Sequence, residues 1–118
     1  MTAEKFRTIA LAIPGAIESS HMDHPDFRIG GKIFASLGYP DDAHGMAKLT
    51  PGQQWAVLKK EPGIFAPCAG SWGKHGMTAI HLASAKPGVV IAALHTAASN
   101  VMKKPIRPAQ GWRGRTTR

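Results

Sequence analysis

Apolar residues recur with helical spacing near both ends of the chain. Near the N-terminus they stand at i, i+3, i+4 and i+7, at Phe6, Ile9, Ala10 and Ile13, and Pro14-Gly15 would end the helix. A second stripe predicts a helix from about Pro87 to Met102 and consists of Val90, Leu94, Ala97, Ala98 and Val101. We expect both stripes to face the protein core.

Short segments rich in strand-forming residues lie between these two helices. They predict an antiparallel meander with strands near Ile17 to Met22, Asp26 to Ile29, Lys32 to Leu37 and Met46 to Leu49. Gly30-Gly31 supplies the positive φ of a tight hairpin, and His24-Pro25-Asp26 predicts a second turn. Pairing across the two glycines would place Phe27 opposite Phe34 as an aromatic cross-strand pair.

A third helix has the clearest start signal in the chain. Thr50 stands at the capping position, Pro51 at the first helical position, and Gln53 where a capping box expects Glu or Gln. Pro62-Gly63 would end this helix. Trp55 lies on the face that we expect to belong to the core.

The region from Cys68 to Ala83 returns to strand character. The Gly-rich sequence GSWGKHG predicts a turn, and alternation from Met77 to Leu82 predicts a strand, so one more hairpin is expected. The whole pattern predicts a two-layer α+β fold, in which an antiparallel β-sheet packs against N-terminal, middle and C-terminal helices. We expect residues 1–102 to form a single domain.

The composition is that of an ordinary globular protein, with 118 residues, 43% hydrophobic and 19% charged. The single cysteine, Cys68, excludes an internal disulfide and a cysteine-based zinc cage, and it favours a reducing compartment. The apolar run near the N-terminus is too short for a secretory signal, and no other run is long enough to span a bilayer. We therefore expect a cytoplasmic protein with no membrane partner.

The net charge of +8 is concentrated after residue 102. Six basic residues and no acidic residue stand there: Lys103, Lys104, Arg107, Arg113, Arg115 and Arg118. The nine basic and seven acidic residues before them leave a net charge of only +2. Because it has two prolines, two glycines and few apolar residues, the segment 103–118 predicts a flexible basic tail. Such a tail either binds a polyanion or is merely solvated.

Four separated motifs resemble the MmcQ/YjbR family. They are PGA near Pro14, HPDFRIGGKIFASLG from His24, KLTPGQQ from Lys48 and GSWGKHGMT from Gly70. The resemblance extends from about residue 5 to residue 100 and leaves the basic tail outside. It implies a compact α+β domain similar to the frataxin-like arrangement of helices against an antiparallel sheet.

The same resemblance implies a DNA-binding role, because the family is commonly labelled DNA-binding from the shape of its fold and surface. Frataxin-like folds also bind iron through acidic surfaces. Hard cations need clustered oxygen ligands, and this chain has only seven carboxylate side chains. Iron binding by that route is therefore not expected.

Polar residues cluster around the first predicted turn. Ser19, His21 and Asp23 alternate along one strand, but a spacing of about 6.6 Å is too open for the direct hydrogen bonds of a catalytic triad. His21, Asp23, His24 and Asp26 could together offer metal ligands. Alternatively, the two aspartates organise the turn and the histidines are partly exposed. Both interpretations stay open.

Other catalytic signals are weak. Cys68 and His75 would form a thiolate–imidazole pair only if the fold brought them together, and a lone cysteine before a Gly-rich turn is typically inert. The chain has no G-x-x-x-x-G-K-[ST] sequence and so lacks a P-loop. We therefore predict a binding protein rather than an enzyme, with no cofactor and no metal.

Basic and aromatic residues accompany the two Gly-rich segments. Arg28 and Lys32 flank the first segment, Lys74 lies in the second, and Trp72 could stack on an unpaired base. The tail adds the predicted nucleic-acid-binding residues Lys103, Lys104, Arg107, Arg113 and Arg115. In the structural alternative, Arg28 pairs with Asp26, Lys32 is solvated and Trp72 closes an edge of the core.

The sequence as a whole predicts a non-catalytic protein that binds DNA with low sequence specificity through its basic hairpin turns and basic tail. We expect it to be a monomer. The alternative is a module that holds a small ligand or a protein partner on the sheet face and the HPDFR turn. A cleft lined by His24, Arg28 and Trp72 would favour that alternative.

Overall fold

The structure is a computed structural model in which residues 1–102 are described. The α-helices are α1 (Ala3–Leu11), α2 (Pro51–Lys60), α3 (Gly70–Lys74) and α4 (Pro87–Val101). The strands are β1 (Ile17–His21), β2 (His24–Ile29), β3 (Lys32–Leu37), β4 (His44–Lys48), β5 (Phe65–Pro67) and β6 (Met77–His81). The predicted tail and its binding residues Lys103, Lys104, Arg107, Arg113 and Arg115 lie outside the described residues.

The six strands form one antiparallel sheet in the order β1-β2-β3-β4-β6-β5. Helix α4 packs across β3 and β4 and also contacts α1. Helix α2 joins the same core through Val57 and Leu58, which are partly buried. The predicted α+β fold, an antiparallel sheet packed against helices, is confirmed.

Aromatic residues fill the core between the helices and the sheet. Phe6 of α1 and Phe27 of β2 are fully buried, with ring centroids 6.1 Å apart. Gly45 of β4 admits the Phe6 ring, because a Cβ at that position would lie 2.6 Å from it. Both predicted stripes are buried, at Phe6, Ile9, Ala10 and Ile13 and at Val90, Leu94, Ala97, Ala98 and Val101.

The β2–β3 hairpin turns at Gly30-Gly31 as predicted, but its register differs from the expectation. Phe27 pairs with Ala35 rather than with Phe34, and the next pair is Arg28 with Ile33. Two residues of β3 therefore stand opposite one residue of β2, which is a β-bulge. Because successive residues of a strand point to opposite faces, Phe27 faces the helices while Arg28 faces the other side of the sheet.

The first hairpin turns earlier than predicted. His24-Pro25-Asp26 is not a turn but the beginning of β2, where Pro25 pairs with Ser20 of the edge strand β1. The turn consists of Met22 and Asp23, whose φ angles are 50° and 66°. Two positive φ angles are what a two-residue hairpin of this type requires. Proline is accommodated because β3 pairs with β2 only from Asp26 onward, so Pro25 has a strand neighbour on one side.

Two further predictions were wrong. Trp55 is 62% exposed rather than buried, and its ring lies 4.3 Å from the Lys59 ammonium. The Gly-rich segment from Gly70 forms the short helix α3 and not a turn. Helix α2 packs on the rest of the chain through Gln54, Val57 and Leu58, which leaves Trp55 on its solvent side.

The start of α2 agrees with the prediction. The Thr50 side chain accepts a hydrogen bond from the Gln53 backbone N–H, and the Gln53 side chain accepts one from the Thr50 N–H. This capping box satisfies two N–H groups that a helix start leaves unpaired. No helix within residues 1–102 combines the length and apolar character needed to cross a lipid bilayer.

Candidate functional site

A cleft of about 530 Å³ lies on the face of the sheet that α1 and α4 leave uncovered. Successive residues of a strand point to opposite faces, and the alternation is visible in β4, where Ala47 belongs to the helix-facing core and Met46 lines the cleft. We call it the open-face cleft. Its polar and aromatic lining residues are His21, His24, Arg28, Lys32, Ser36, Tyr39, Lys48 and Trp72.

The floor of the open-face cleft is built by the sheet register. Ser36 pairs with Met46, and Lys48 pairs with Met77, so β3, β4 and β6 each contribute to it. Three strand spacings separate β2 from β6, so this part of the floor spans about 14 Å of the sheet. Residues far apart in the chain therefore line one concave surface.

Arg28 is held in the cleft by a buried carboxylate. Its Nε donates to Oδ1 of Asp26 at 2.7 Å and its Nη2 donates to Oδ2 at 3.0 Å. Asp26 has no exposed surface, and its Oδ2 also lies 2.8 Å from Nδ1 of His21. Hydrogen bonding by Arg28 holds the pKa of the Asp26 carboxyl below its usual value, with a smaller contribution from His21. This ion pair orients the guanidinium toward the cleft.

Two lysines add positive charge to the same surface. Lys32 follows the Gly30-Gly31 turn and is exposed, and Lys48 ends β4 with a partly exposed side chain. Within residues 1–102, none of the residues that line the cleft is acidic. The cleft is therefore locally cationic, although the net charge of the described residues is small.

An aromatic pair forms another part of the wall. Trp72 of α3 is 47% exposed, and its ring centroid lies 5.4 Å from that of Tyr39, with the planes tilted by 57°. Tyr39 supports one part of the indole, and the remainder is open to the cleft. A half-exposed indole in a concave, cationic surface is suited to stacking on a planar ring.

Glycine and glutamine residues hold Trp72 in place. A Cβ on Gly73 would lie 1.9 Å from the carbonyl oxygen of Cys68, so α3 can approach this loop only with glycine there. The buried Gln54 side chain of α2 donates to the carbonyl oxygens of Gly73 and Met77 at 3.1 Å each. Helices α2 and α3 are thereby tied to the start of β6.

The remaining predicted residues lie apart from the cleft or have structural partners. Lys74 is exposed in α3, but it does not line the cleft. Cys68 is buried, and burial raises the pKa of its thiol. His75 donates from Nδ1 to the carbonyl oxygen of Ser71 at 2.7 Å. A raised thiol pKa disfavours the thiolate that a nucleophile requires.

The histidine and aspartate cluster around the first hairpin does not assemble a metal site. The structure brings His21 to Asp26, not to Asp23. Within residues 1–102, no group of three or more His, Cys, Asp or Glu side chains is arranged to hold a metal ion. Arg28 pairs with Asp26, as the structural alternative from the sequence expected. This ion pair lies at the open-face cleft.

Sequence reasoning missed Tyr39, Lys48 and Gln54. Lys48 and Tyr39 carry no local signal, because Lys48 ends β4 and Tyr39 follows β3, and the fold alone brings them to the same cleft. Gln54 follows the capping residue Gln53, and the capping pattern explains Gln53 alone. Its one sequence clue is a polar residue on a helix face that would otherwise be buried.

A second cavity, of about 450 Å³, lies between α2 and α4. Its lining is mainly apolar and includes Val57, Phe65 and Ala93, with Lys60 and Glu61 of opposite charge. None of the predicted binding residues of the described chain lines it. The open-face cleft is therefore the candidate site.

Comparison with known proteins supports the fold. A family model described as YjbR matches residues 11–102. Among solved structures, the crystal structure of Deinococcus radiodurans protein DR2400, described with the domain DUF419, is similar with a TM-score of 0.72. The two sequences are 18% identical, and the match covers 90% of this chain and 82% of that chain. A comparison with curated proteins found no match.

Proposed function

The chain belongs to the YjbR family, and from that premise we propose that it binds nucleic acid without catalysis and with little sequence specificity. The observation that carries the proposal is the open-face cleft, where three basic side chains lie beside a half-exposed indole. Basic side chains bind phosphates, and aromatic side chains stack on bases whatever their sequence. This combination favours a nucleic acid over other polyanions.

The charge distribution supports the same function. Lys32 and Lys48 add two positive charges to the cleft lining without an ion-pair partner within residues 1–102, while the charge of Arg28 is balanced by the buried Asp26. An anion that enters the cleft therefore meets cations without an exposed carboxylate on the lining. Lys74 and the basic residues after Met102 would add electrostatic attraction around this contact.

A small anionic ligand is the second candidate for the cleft. The cavity is lined by His24, Arg28 and Trp72 together, and its volume of about 530 Å³ is within the range of small-molecule pockets. A ligand with one planar ring and one anionic group would satisfy this lining. In that case a long nucleic-acid strand would bind no more tightly than the small ligand alone.

The test is a titration of the full chain with DNA and RNA over a salt series. The variant Lys32→Ala, Lys48→Ala removes two cleft cations and leaves the Asp26–Arg28 pair intact. We expect weaker binding and a log–log salt slope that is smaller by about 1 to 2. The matched control, Lys5→Ala, Lys86→Ala, removes two exposed lysines elsewhere and should keep most of the affinity.

Two outcomes contradict the proposal. No binding of the full chain to DNA or RNA at low salt would exclude a nucleic-acid role. Equal losses in the two double variants would show that net charge, and not the cleft, determines affinity. A nucleoside monophosphate that binds as tightly as a long strand would instead favour the small-ligand function.

A further inference from the structure

We infer that the open-face cleft accepts an unpaired base, so that the chain selects single-stranded nucleic acid over duplex. This inference rests on the proposed function and names its substrate class. Stacking on Trp72 needs a base with a free face, whereas a base within a duplex has both faces covered by its neighbours. The indole lies at the wall of a recess, where an extruded or single-stranded base can reach it.

The floor of the cleft suits a base more than it suits a phosphate backbone. Met46, Met77 and Ile33 make it largely apolar, although Ser36 lies among them. The Ser36 side chain is on the cleft lining with the residue only 3% exposed, and its Oγ has no hydrogen-bond partner within residues 1–102. Buried hydroxyls are normally hydrogen-bonded. The edge of a base would supply that partner.

The cationic side of the cleft suits the phosphate that accompanies the base. Nε and Nη2 of Arg28 are taken by Asp26, whereas Nη1 has no partner within residues 1–102. The guanidinium is therefore oriented before a ligand arrives, which lowers the entropy cost of binding an anion. Lys32 lies on the same lining, beside the hairpin tip. Base and phosphate thus have separate positions along the cleft.

The open-face cleft would therefore bind single strands of any sequence. Every base presents a face on which an indole can stack, and a single hydroxyl discriminates little between base edges. Low specificity and preference for unpaired strands therefore have one structural cause, namely the Tyr39–Trp72 pair beside the Ser36 floor.

The experiment compares three probes of equal length with the full chain: a deoxythymidine strand, its duplex with deoxyadenosine, and an abasic strand. We expect the single strand to bind at least tenfold more tightly than either of the others. Trp72→Ala should weaken binding of the single strand by about 5- to 150-fold, the effect of losing one stacked base. It should leave binding of the abasic strand unchanged, and an unchanged circular dichroism spectrum shows that the variant is folded.

Trp55→Ala is the matched control, because Trp55 is a similarly exposed indole on α2 and does not line the cleft. It should leave all three affinities unchanged. A second readout uses Trp55→Phe, Trp112→Phe, in which Trp72 is the remaining tryptophan. Its fluorescence should be quenched by the deoxythymidine strand and not by the abasic strand.

The outcomes separate this inference from the function on which it rests. Duplex binding as tight as single-strand binding, with no effect of Trp72→Ala, would overturn the inference and leave nucleic-acid binding standing. Equal losses in Trp72→Ala and Trp55→Ala would also overturn it. No binding of any probe at low salt would overturn both.

Discussion

Asp26 is the residue on which the arrangement of the cleft depends. It has no exposed surface, yet it carries a carboxylate that accepts two hydrogen bonds from Arg28 and contacts His21. A buried charge is tolerated only when it is paired and hydrogen-bonded. The position of Arg28 in the cleft is therefore a consequence of the residue beneath it, and both belong to the same strand.

Replacing this carboxylate tests its contribution to stability. The pKa of Asp26 is lowered in the folded chain, so the stabilisation is fully present above the unfolded pKa, near 4, and is lost as the pH falls through the lower folded pKa. We expect Asp26→Asn to lower the free energy of unfolding at pH 7 by about 1–3 kcal/mol. Urea unfolding should show this difference shrinking as the pH falls below the unfolded pKa near 4.

Asp42→Asn is the control for this series, because it replaces an exposed carboxylate elsewhere on the chain. It should change the free energy of unfolding by less than about 0.5 kcal/mol. If Asp26→Asn and Asp42→Asn unfolded alike at pH 7, the buried pair would contribute nothing to stability.

At the scale of elements, α3 decides where the aromatic wall of the cleft stands. This helix has only five residues and gains little from its own hydrogen bonds, so its position depends on close contact with its neighbours. Gly73 allows the approach to the Cys68 carbonyl, and Gln54 ties the helix to α2. Trp72 is therefore placed by residues that do not touch the cleft.

A pair of glycine substitutions separates close approach from helix propensity. Gly73→Ala would place a Cβ 1.9 Å from a backbone oxygen, whereas Gly52 in α2 has open space around it. We expect Gly73→Ala to lower the free energy of unfolding by at least about 1–3 kcal/mol and to weaken single-strand binding. Gly52→Ala should raise it by up to about 1 kcal/mol. Thermal unfolding of both variants checks this, and stabilisation by Gly73→Ala would contradict the contact.

At the scale of the whole molecule, the two faces of the sheet differ: one packs against helices and the other carries the cleft. Helices α1 and α4 pack on one face and complete the core, while the other face carries the cleft. The net charge before residue 103 is only +2, so the positive charge of the cleft lining comes from the placement of Lys32 and Lys48 beside the Arg28–Asp26 pair and not from an excess of basic residues. The net charge of the chain by itself therefore does not show where the positive surface lies.

The salt dependence of binding measures both sources of charge. If Arg28, Lys32 and Lys48 each neutralise one phosphate of a single strand, the log–log slope is about −2. The six basic residues after Met102 could extend it to about −6 in the full chain. A variant with glutamine at those six positions should return the slope to about −2. A slope near zero in that variant would mean that the cleft contacts no phosphate.

Local features of the fold were predictable from neighbouring residues. The capping box at Thr50, the tight turn at Gly30-Gly31 and the helical stripe that includes Leu94 each depend on residues within a few positions. Trp55 was misplaced because its spacing fits an amphipathic helix, while the face of α2 that is buried is the one with Gln54, Val57 and Leu58. The partner of Phe27 was misplaced because a bulge changes pairing without a glycine or proline signal.

The sequence by itself determined the family through its four separated motifs. It also determined the α+β class and the main helices, since these follow from short-range periodicity, capping and turn chemistry. Only the tertiary structure decided which side chains share a surface. Arg28, Lys48 and Trp72 meet because the sheet places β4 between β3 and β6, and because α3 packs over the resulting face. Such contacts join distant positions, so no local pattern encodes them.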